Sequence, residues 1–187
     1  MNAKSLEKLT YDIDYIFSAN IRERMKKKRN QLSSHLPNMV SIACTVASER
    51  LPSSVFGGYF LQINLKSSKP LKGVFEGYCL DERNAHPLSP ILYTLFHLYA
   101  LRLFHLPLTL HITSEEALQR LESLPTENDP IAEAITVLLS HFPSVSFAPC
   151  LQGFFFEKMH SRLRQLQYEQ INEFTPLDFK LLASICL

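Results

Sequence analysis

Hydrophobic residues near the start of the chain recur every three or four positions, which is the spacing of an amphipathic helix. The stripe is formed by Leu6, Leu9, Ile13, Ile16, Ile21, Met25 and Leu32. We predict one helix over residues 4–34 that ends near Pro37 and docks its apolar face on the rest of the protein. Polar Asn20 interrupts the stripe at a seam position, which also permits a coiled-coil dimer, although docking is the preferred interpretation.

After Pro37 the pattern changes to short segments that are rich in β-branched and small apolar residues, as is typical of strands. Three such segments follow one another, over residues 39–46, 55–65 and 72–80. Because the links between them are short, they predict an antiparallel meander.

The second half of the chain alternates between helical and strand-like patterns. Pro87 and Pro90 open a helix that runs to about Phe104, because proline is tolerated in a first helical turn. The remaining predicted elements are a strand over 108–112, a helix capped by Thr113 or Ser114 and ending near Pro125, a helix opened by Asp129 and Pro130, a strand over 144–149, a helix over 155–168 and a short C-terminal helix from Thr175. Together these elements predict a mixed α/β domain.

Length and composition fit one domain with an appended helix. The chain has 187 residues, and 46% of them are hydrophobic, which is enough for a sizeable core. We predict a basic amphipathic helix over residues 1–36 and a single α/β domain over residues 37–187. The formal net charge is only +1, so the overall charge does not indicate a nucleic-acid or an acidic partner.

Cysteine spacing and hydropathy indicate an intracellular protein that does not enter a membrane. The four cysteines lie far apart, which excludes a dense disulfide scaffold or a short-spaced zinc site and favours free thiols in a reducing compartment. The first residues lack the apolar core of a secretory signal. The apolar stretch over 88–112 contains Arg102 and helix-breaking Pro107, which argue against a spanning helix. We therefore predict a cytoplasmic location, no membrane insertion and no cofactor.

Positive charge is concentrated in the second half of the N-terminal helix. Of the 19 Lys and Arg residues, six lie between positions 22 and 29, namely Arg22, Arg24, Lys26, Lys27, Lys28 and Arg29. The last long helix carries a second basic set, which consists of Lys158, Arg162 and Arg164. A run of like charges is usually a solvated surface, and the alternative is binding to phosphates or to an acidic protein groove. Binding to nucleic acid would then use backbone contacts, depend strongly on salt and read no base sequence.

Cysteine and histidine residues raise the alternative of an enzyme with another chemistry. Cys150 stands at a predicted strand end with His160 ten residues later, and Cys79 has His86 nearby. Neither pair lies in a recognised protease or transferase signature, and the chain contains no His-Glu-x-x-His motif. Structural roles are therefore the preferred interpretation for these residues.

The element order after the first helix, β-β-β-α-β-α-α-β-α, resembles that of the ribonuclease H-like fold. Short motifs at the ends of elements follow the family as well. Thr45-Val46-Ala47-Ser48 stands where the family has Thr-Asp-Gly-Ser, Gly57-Gly58-Tyr59 resembles its Gly-Gly motif, Ile112-Thr113-Ser114 is similar to its Thr-Asp-Ser, and Gly153 with residues 157–163 matches its Gly-His loop and last catalytic helix. The resemblance covers about residues 39–168 and implies a five-stranded mixed sheet flanked by helices.

The same resemblance implies that the family's chemistry is absent from this chain. Ribonuclease H chemistry requires a cluster of carboxylates that holds two magnesium ions. The positions that match those carboxylates carry Val46, Leu88, Thr113 and His160. None of them is acidic, whereas a hard cation needs charged oxygen ligands. The nearby acids are Glu49, Glu82, Glu115 and Glu157. We do not expect them to rebuild the site, because a slip of one residue along a strand turns a side chain to the other face.

We therefore predict a degenerate ribonuclease H-like scaffold without catalytic activity that binds a partner through its basic helix or through the face of the absent metal site. The partner is either a protein or a nucleic-acid backbone. Two alternatives stay open: an enzyme of unrecognised chemistry that uses a cysteine or histidine, and an assembly protein that dimerises through its N-terminal helix.

Overall fold

The computed structural model describes residues 5–51, 54–81, 86–124, 129–169 and 184–187. Within these ranges only the backbone is described for residues 49–51, 54–56, 74–81, 154–155 and 166–169. The predicted C-terminal helix from Thr175, the predicted helix end near Pro125 and the acid Glu82 lie outside the described residues.

The described ranges contain helices that agree with most of the predicted ones. They are α1 (Leu6–Ile16), α2 (Ala19–Ser33), α3 (Ser89–Ala100), α4 (Glu115–Glu122), α5 (Pro130–Leu139) and α6 (Phe154–Glu169). The strands are β1 (Met39–Leu51), β2 (Ser54–Leu65), β3 (Leu71–Asp81), β4 (Leu108–Ile112) and β5 (Val145–Pro149). Within the described ranges, none of the helices combines the length and the apolar character needed to cross a bilayer.

The five strands form one mixed sheet in the order β3-β2-β1-β4-β5. The first three strands pair antiparallel, as the short links between them predicted. Strand β4 pairs parallel to β1 and β5 pairs parallel to β4. Before each of these strands a helical connection returns the chain to the end of the sheet at which the preceding strand began, so the two strands run in the same direction. The predicted five-stranded mixed sheet flanked by helices is confirmed.

Helices cover both faces of this sheet. Residues of one face of β1, including Cys44 and Val46, pack with α3 in a continuous apolar core. Every residue of α3 is buried. Helix α6 also packs on β1 and β2, but its buried Met159 and Leu163 lie outside that core. Since successive strand residues face opposite sides, α6 covers the second face of the sheet.

The N-terminal segment consists of two helices, so the prediction of one helix over residues 4–34 is wrong. Phe17 leaves the helix with φ −78° and ψ 144°, and the Ser18 hydroxyl caps α2 by accepting a hydrogen bond from the Ile21 N–H at 3.4 Å. The apolar stripe shifts by one position at this point in the sequence. The break lets each half turn its own apolar side toward the body, which a single straight helix would not allow. We call α1 and α2 together the N-terminal hairpin.

The predicted docking of this segment is confirmed. Both helices of the hairpin contact α3, and the buried residues Leu9, Ile13 and Met25 join the main core. Asn20 is exposed, away from this contact. The apolar stripe that a coiled-coil dimer would use is therefore largely covered within the chain, and dimerisation stays a prediction.

Arg102, just after the end of α3, forms an ion pair with α1 of the N-terminal hairpin. It adopts φ +61°, a left-handed conformation in which glycine is usual at helix ends. The Arg102 N–H donates to the Tyr99 carbonyl and the Leu103 N–H to the Leu98 carbonyl, which completes a Schellman motif. The guanidinium donates to the Asp14 carboxylate of α1 at 2.5 Å. The side chain thus explains why an arginine occupies a strained backbone position.

We expect Arg102→Gly to lower the free energy of unfolding in the wild-type background but to raise it, by up to about 1 kcal/mol, in an Asp14→Ala background. Glycine relieves the left-handed strain in both backgrounds. It removes the ion pair with Asp14 only in the wild-type background, because the Asp14→Ala protein has already lost that pair. Both side chains are partly exposed, at 33% and 28%, so we expect a coupling energy of only about 1 kcal/mol. Urea unfolding of the wild-type protein, the two single variants and the double variant measures this coupling energy. An equal effect of Arg102→Gly in both backgrounds would mean that the ion pair between Arg102 and Asp14 does not stabilise the fold.

Candidate functional site

Two of the four positions that the sequence resemblance aligned with carboxylates lie side by side. Val46 pairs in register with Tyr59 of β2 and Ile112 of β4. The Thr113 N–H, one residue beyond β4, donates to the Val46 carbonyl at 3.1 Å. Only 3% of the surface of Val46 is exposed, and Thr113 is also buried. The parallel pair of strands therefore brings Val46 and Thr113 together.

The other two positions lie on helices of opposite faces. Leu88 occupies the N-cap position of α3 and is buried in the same core as Val46. His160 lies on α6, half-buried, with its ring centroid 4.3 Å from that of Phe156. Val46 and Leu88 are thus parts of the main core, whereas the helix of His160 covers the second face of the sheet.

The described acids near these positions have other surroundings. Glu115 and Glu116 lie in the first turn of α4 behind the Ser114 cap, and Glu116 pairs with Arg120 at 3.3 Å. Glu157 is exposed in the first turn of α6, and the side chain of Glu49 is not described. In the part of the chain that the structure describes, no three or more His, Cys, Asp or Glu side chains form a group that could hold a metal ion.

A buried aromatic cluster around His97 was not anticipated from the sequence. His97 is fully buried, and its Nδ1 shares a hydrogen bond of 2.9 Å with the Tyr59 hydroxyl. The rings of Phe17 and Tyr93 lie 4.8 and 4.4 Å from the imidazole, centroid to centroid. Burial lowers the pKa of His97 well below 6.5, and the nearby Lys28 lowers it further. His97 is therefore a neutral structural residue that joins the sheet, α3 and the hairpin.

Cys44 and Cys150 do not have the surroundings of a nucleophile. Burial raises the pKa of Cys44, which is fully enclosed. Burial also raises the pKa of the half-buried Cys150. An activated thiol needs the opposite shift, toward the thiolate at neutral pH. The side chain of Cys79 lies outside the described part, so the prediction about it is untested.

The basic run on α2 is divided between structural contacts and exposed charge. Arg29 Nη1 donates to the Ala100 carbonyl at the end of α3, at 3.3 Å, and Lys28 and Arg24 lie near enough to His97 to lower its pKa. Lys26 and Lys27 are exposed. The sequence could not distinguish these roles, because they depend on which side of α2 faces α3.

Three side chains of this run line a groove between the hairpin and the end of α3. Arg22, Lys26 and Arg29 of α2 line it from one side and Asp14 of α1 from the other. The groove has a volume of about 270 Å³ and a partly apolar floor that includes Phe17. The Arg22 guanidinium lies 4.8 Å above the centre of the Tyr15 ring. The groove therefore opens beside an aromatic side chain.

The second basic set is exposed on α6. Lys158 and Arg162 are one helical turn apart, and Arg164 follows on the same helix. All three side chains are exposed. This helix and the hairpin thus carry two separate exposed groups of cations.

Comparisons with known proteins do not identify a family. No protein-family model matches the chain, and no curated protein matches it. Among solved structures it is similar to RNase H1 from the halophilic archaeon Halobacterium salinarum, with 11% identity, 69% of this chain and 98% of that chain covered, and a TM-score of 0.49. It is also similar to the N-terminal RNase H domain of a Mycobacterium tuberculosis protein, with 8% identity, 70% and 98% covered, and a TM-score of 0.48.

The sheet itself carries the fold assignment. Its order is β3-β2-β1-β4-β5. Strand β2 is antiparallel to β1 and β3, and β4 is parallel to β1 and β5. A helix connects the meander to β4, and two helices connect β4 to β5. This is the arrangement that the sequence resemblance implied, and the chain has a ribonuclease H-like fold.

Proposed function

We propose that the protein is a non-catalytic binding module on a ribonuclease H-like scaffold. The observation that carries this proposal is the environment of Val46, an apolar residue that is 3% exposed and flanked by Tyr59 and Ile112. A two-metal nuclease needs a charged oxygen ligand at this point, open to substrate phosphate. A valine that is packed into the core supplies neither the ligand nor the access.

Leu88, the N-cap residue of α3, supports the same proposal. It is buried in the core together with Val46, so both positions contribute apolar surface to the packing of α3 on the sheet. Burial of a leucine side chain stabilises a fold by about 2 kcal/mol. Substitution of acids by apolar residues at these positions thus has a direct benefit for stability in a scaffold that no longer binds metal.

The exposed cations indicate the kind of partner. Lys26 and Lys27 on α2, and Lys158, Arg162 and Arg164 on α6, leave positive charge on the surface of a chain whose net charge is only +1. Such groups bind phosphates or acidic side chains, and each contact to a phosphate makes the affinity more dependent on salt. We propose an anionic partner, which is a nucleic-acid backbone or an acidic protein surface. We also propose a cytoplasmic location, because Cys44 and Cys150 are free thiols.

We expect the purified protein to cleave neither an RNA–DNA hybrid nor a single strand when magnesium or manganese is added. The physical reason is the absence of oxyanion ligands at the sites that would hold two divalent ions. A gel assay with an end-labelled hybrid measures this, with an authentic ribonuclease H as positive control. Metal-stimulated cleavage that disappears in a Glu115→Gln/Glu157→Gln variant would overturn the proposal, since it would reveal a displaced carboxylate site.

A further inference from the structure

We infer that the N-terminal hairpin binds single-stranded nucleic acid, with Tyr11 and Tyr15 stacking on bases and the cations of α2 contacting the phosphates. This inference rests on the proposed function, which leaves the anionic partner and the binding surface open. The arrangement of two exposed rings beside a basic groove assigns a single strand as the partner and the N-terminal hairpin as the binding surface.

The two tyrosines form an exposed aromatic surface on α1. Tyr11 and Tyr15 are 59% and 61% exposed, whereas the other tyrosines whose side chains the structure describes, Tyr59, Tyr93 and Tyr99, are at most 4% exposed. They are one helical turn apart, with ring centroids separated by 4.6 Å and ring planes at 43°. The buried residues Leu9 and Ile13 hold the opposite side of α1 on the body. The helix therefore presents the two rings to solvent from a fixed position.

Arg22 connects this aromatic surface to the groove. Its guanidinium lies 4.8 Å from the centre of the Tyr15 ring, and the same side chain lines the groove together with Lys26 and Arg29. Positions 22, 26 and 29 follow one side of α2, since residues three and four apart are neighbours on a helix. A strand whose base stacks near Tyr15 would thus have its phosphates beside a row of cations.

The acids of the groove leave it positive. Asp14 and Glu23 are its lining carboxylates, and Asp14 forms ion pairs with Arg102, which lies outside the groove, at 2.5 Å and with Arg29 at 3.9 Å. The lining cations Arg22 and Lys26 therefore outnumber the remaining carboxylate, Glu23, and exposed Lys27 adds positive charge to the same helix. The charge of the groove fits an anion.

The combination of rings and cations favours a single strand over the other anionic partners. A single strand offers unstacked base faces, and stacking on an aromatic side chain is worth about 1–3 kcal/mol per base whatever the sequence. A duplex keeps its base faces covered, so it would engage the cations alone. An acidic peptide would likewise use the charges and leave the rings without a planar ligand.

The absence of tryptophan makes the contact directly observable. The chain has seven tyrosines and no tryptophan, so its ultraviolet emission reports tyrosine alone. We expect a single-stranded oligothymidylate or oligouridylate to quench this emission and to bind more tightly than a duplex of equal length. Fluorescence anisotropy of an end-labelled oligonucleotide gives the affinity independently of the tyrosines.

Matched variants separate the rings from the charges. We expect Tyr11→Ala/Tyr15→Ala to weaken single-strand binding at least tenfold, while Tyr11→Phe/Tyr15→Phe retains the affinity because the rings remain. Lys26→Glu/Lys27→Glu should weaken binding and reduce the slope of log affinity against log salt by about 1.4, the value for two phosphate contacts to a single strand. Lys158→Glu/Arg162→Glu tests the cations of α6, and Lys66→Glu/Lys69→Glu, in the exposed turn between β2 and β3, is the charge-matched control that should leave the affinity unchanged.

The outcomes distinguish this inference from the proposed function. Equal binding of the wild-type and Tyr11→Ala/Tyr15→Ala proteins, or loss of binding only in the α6 variant, overturns the hairpin as the binding surface but leaves a non-catalytic binding module. Equal affinity for polyglutamate and a single strand, or no binding to any oligonucleotide, overturns the assigned partner. Metal-dependent cleavage of the oligonucleotide overturns the proposed function itself. Circular dichroism confirms folding of each variant, since the substituted residues are exposed or partly exposed.

Discussion

Substitution of Val46 by aspartate is expected to lower the free energy of unfolding by more than about 3 kcal/mol and to create no binding site for manganese. The side chain at this position is 3% exposed and packs in the core between Tyr59 and Ile112. A carboxylate there would lose its hydration, and an unpaired buried charge costs several kcal/mol. The variant therefore tests whether this position belongs to the core or to a metal site.

Two control variants separate the charge from the change in shape. Val46→Ala removes only apolar contacts, for which we expect a loss of about 2 kcal/mol. Val46→Asn has the size of aspartate without its charge, so we expect its loss to lie between the other two. Urea unfolding with and without manganese measures all three variants, because an ion that binds only the folded state raises the apparent stability.

A different outcome would change the interpretation of the position. Wild-type stability of the Val46→Asp variant, together with a rise in stability on addition of manganese, would mean that the position is open and that other oxygen ligands surround it. The proposed lack of activity would then depend on the valine at this position alone. Equal losses for the aspartate and asparagine variants would instead show that the buried aspartate is protonated.

The order of elements could be predicted because periodicity and turn residues agree with the fold along most of the chain. Strand β4 has the predicted bounds of 108–112, and the Asp129 carboxylate caps α5 by accepting from the Ile131 and Ala132 N–H groups. Strand β1 extends to Leu51, beyond its predicted end at Val46. This extension carries polar residues and pairs only with β2, so no apolar pattern marks it.

The candidate site could be predicted only in part. Proximity of Val46 and Thr113 follows from the parallel pairing of β1 and β4, which the order of elements implies. The surface formed by Tyr11, Tyr15 and Arg22 depends on the break before α2, which brings residues of two helices together. Two tyrosines four positions apart beside a basic run were visible in the sequence. On the polar side of a supposed single helix, however, they have the appearance of ordinary solvated residues.

Phe17 stands at that break, and we expect Phe17→Ala to lower the free energy of unfolding by about 3 kcal/mol. The phenylalanine is 5% exposed, and its ring packs edge-on against His97, with centroids 4.8 Å apart, and against Tyr93, with centroids 6.3 Å apart. Removal of a buried aromatic ring leaves a cavity and typically costs 3–5 kcal/mol. We expect the lower end of this range, because Phe17 also lines the open groove and water can fill part of the space.

The same substitution should change how stability depends on pH. In the wild-type protein, burial is the main cause that lowers the pKa of His97 below 6.5. A base with a lowered pKa in the folded state takes up its proton only on unfolding. His97 therefore makes stability fall as the pH drops below about 6.5, with a slope of up to about 1.4 kcal/mol per pH unit. Loss of the Phe17 ring admits water to the imidazole, raises its pKa and makes this slope smaller.

Phe17→Leu is the matched control, because it keeps most of the apolar cover over the imidazole. We expect it to cost about 1 kcal/mol and to retain the wild-type pH dependence. Urea unfolding at pH 7 and pH 5 measures both effects in the three proteins. A Phe17→Ala protein with an unchanged slope would mean that His97 stays dry without the ring. In that case the hairpin contributes packing to this part of the core but does not seal it from water.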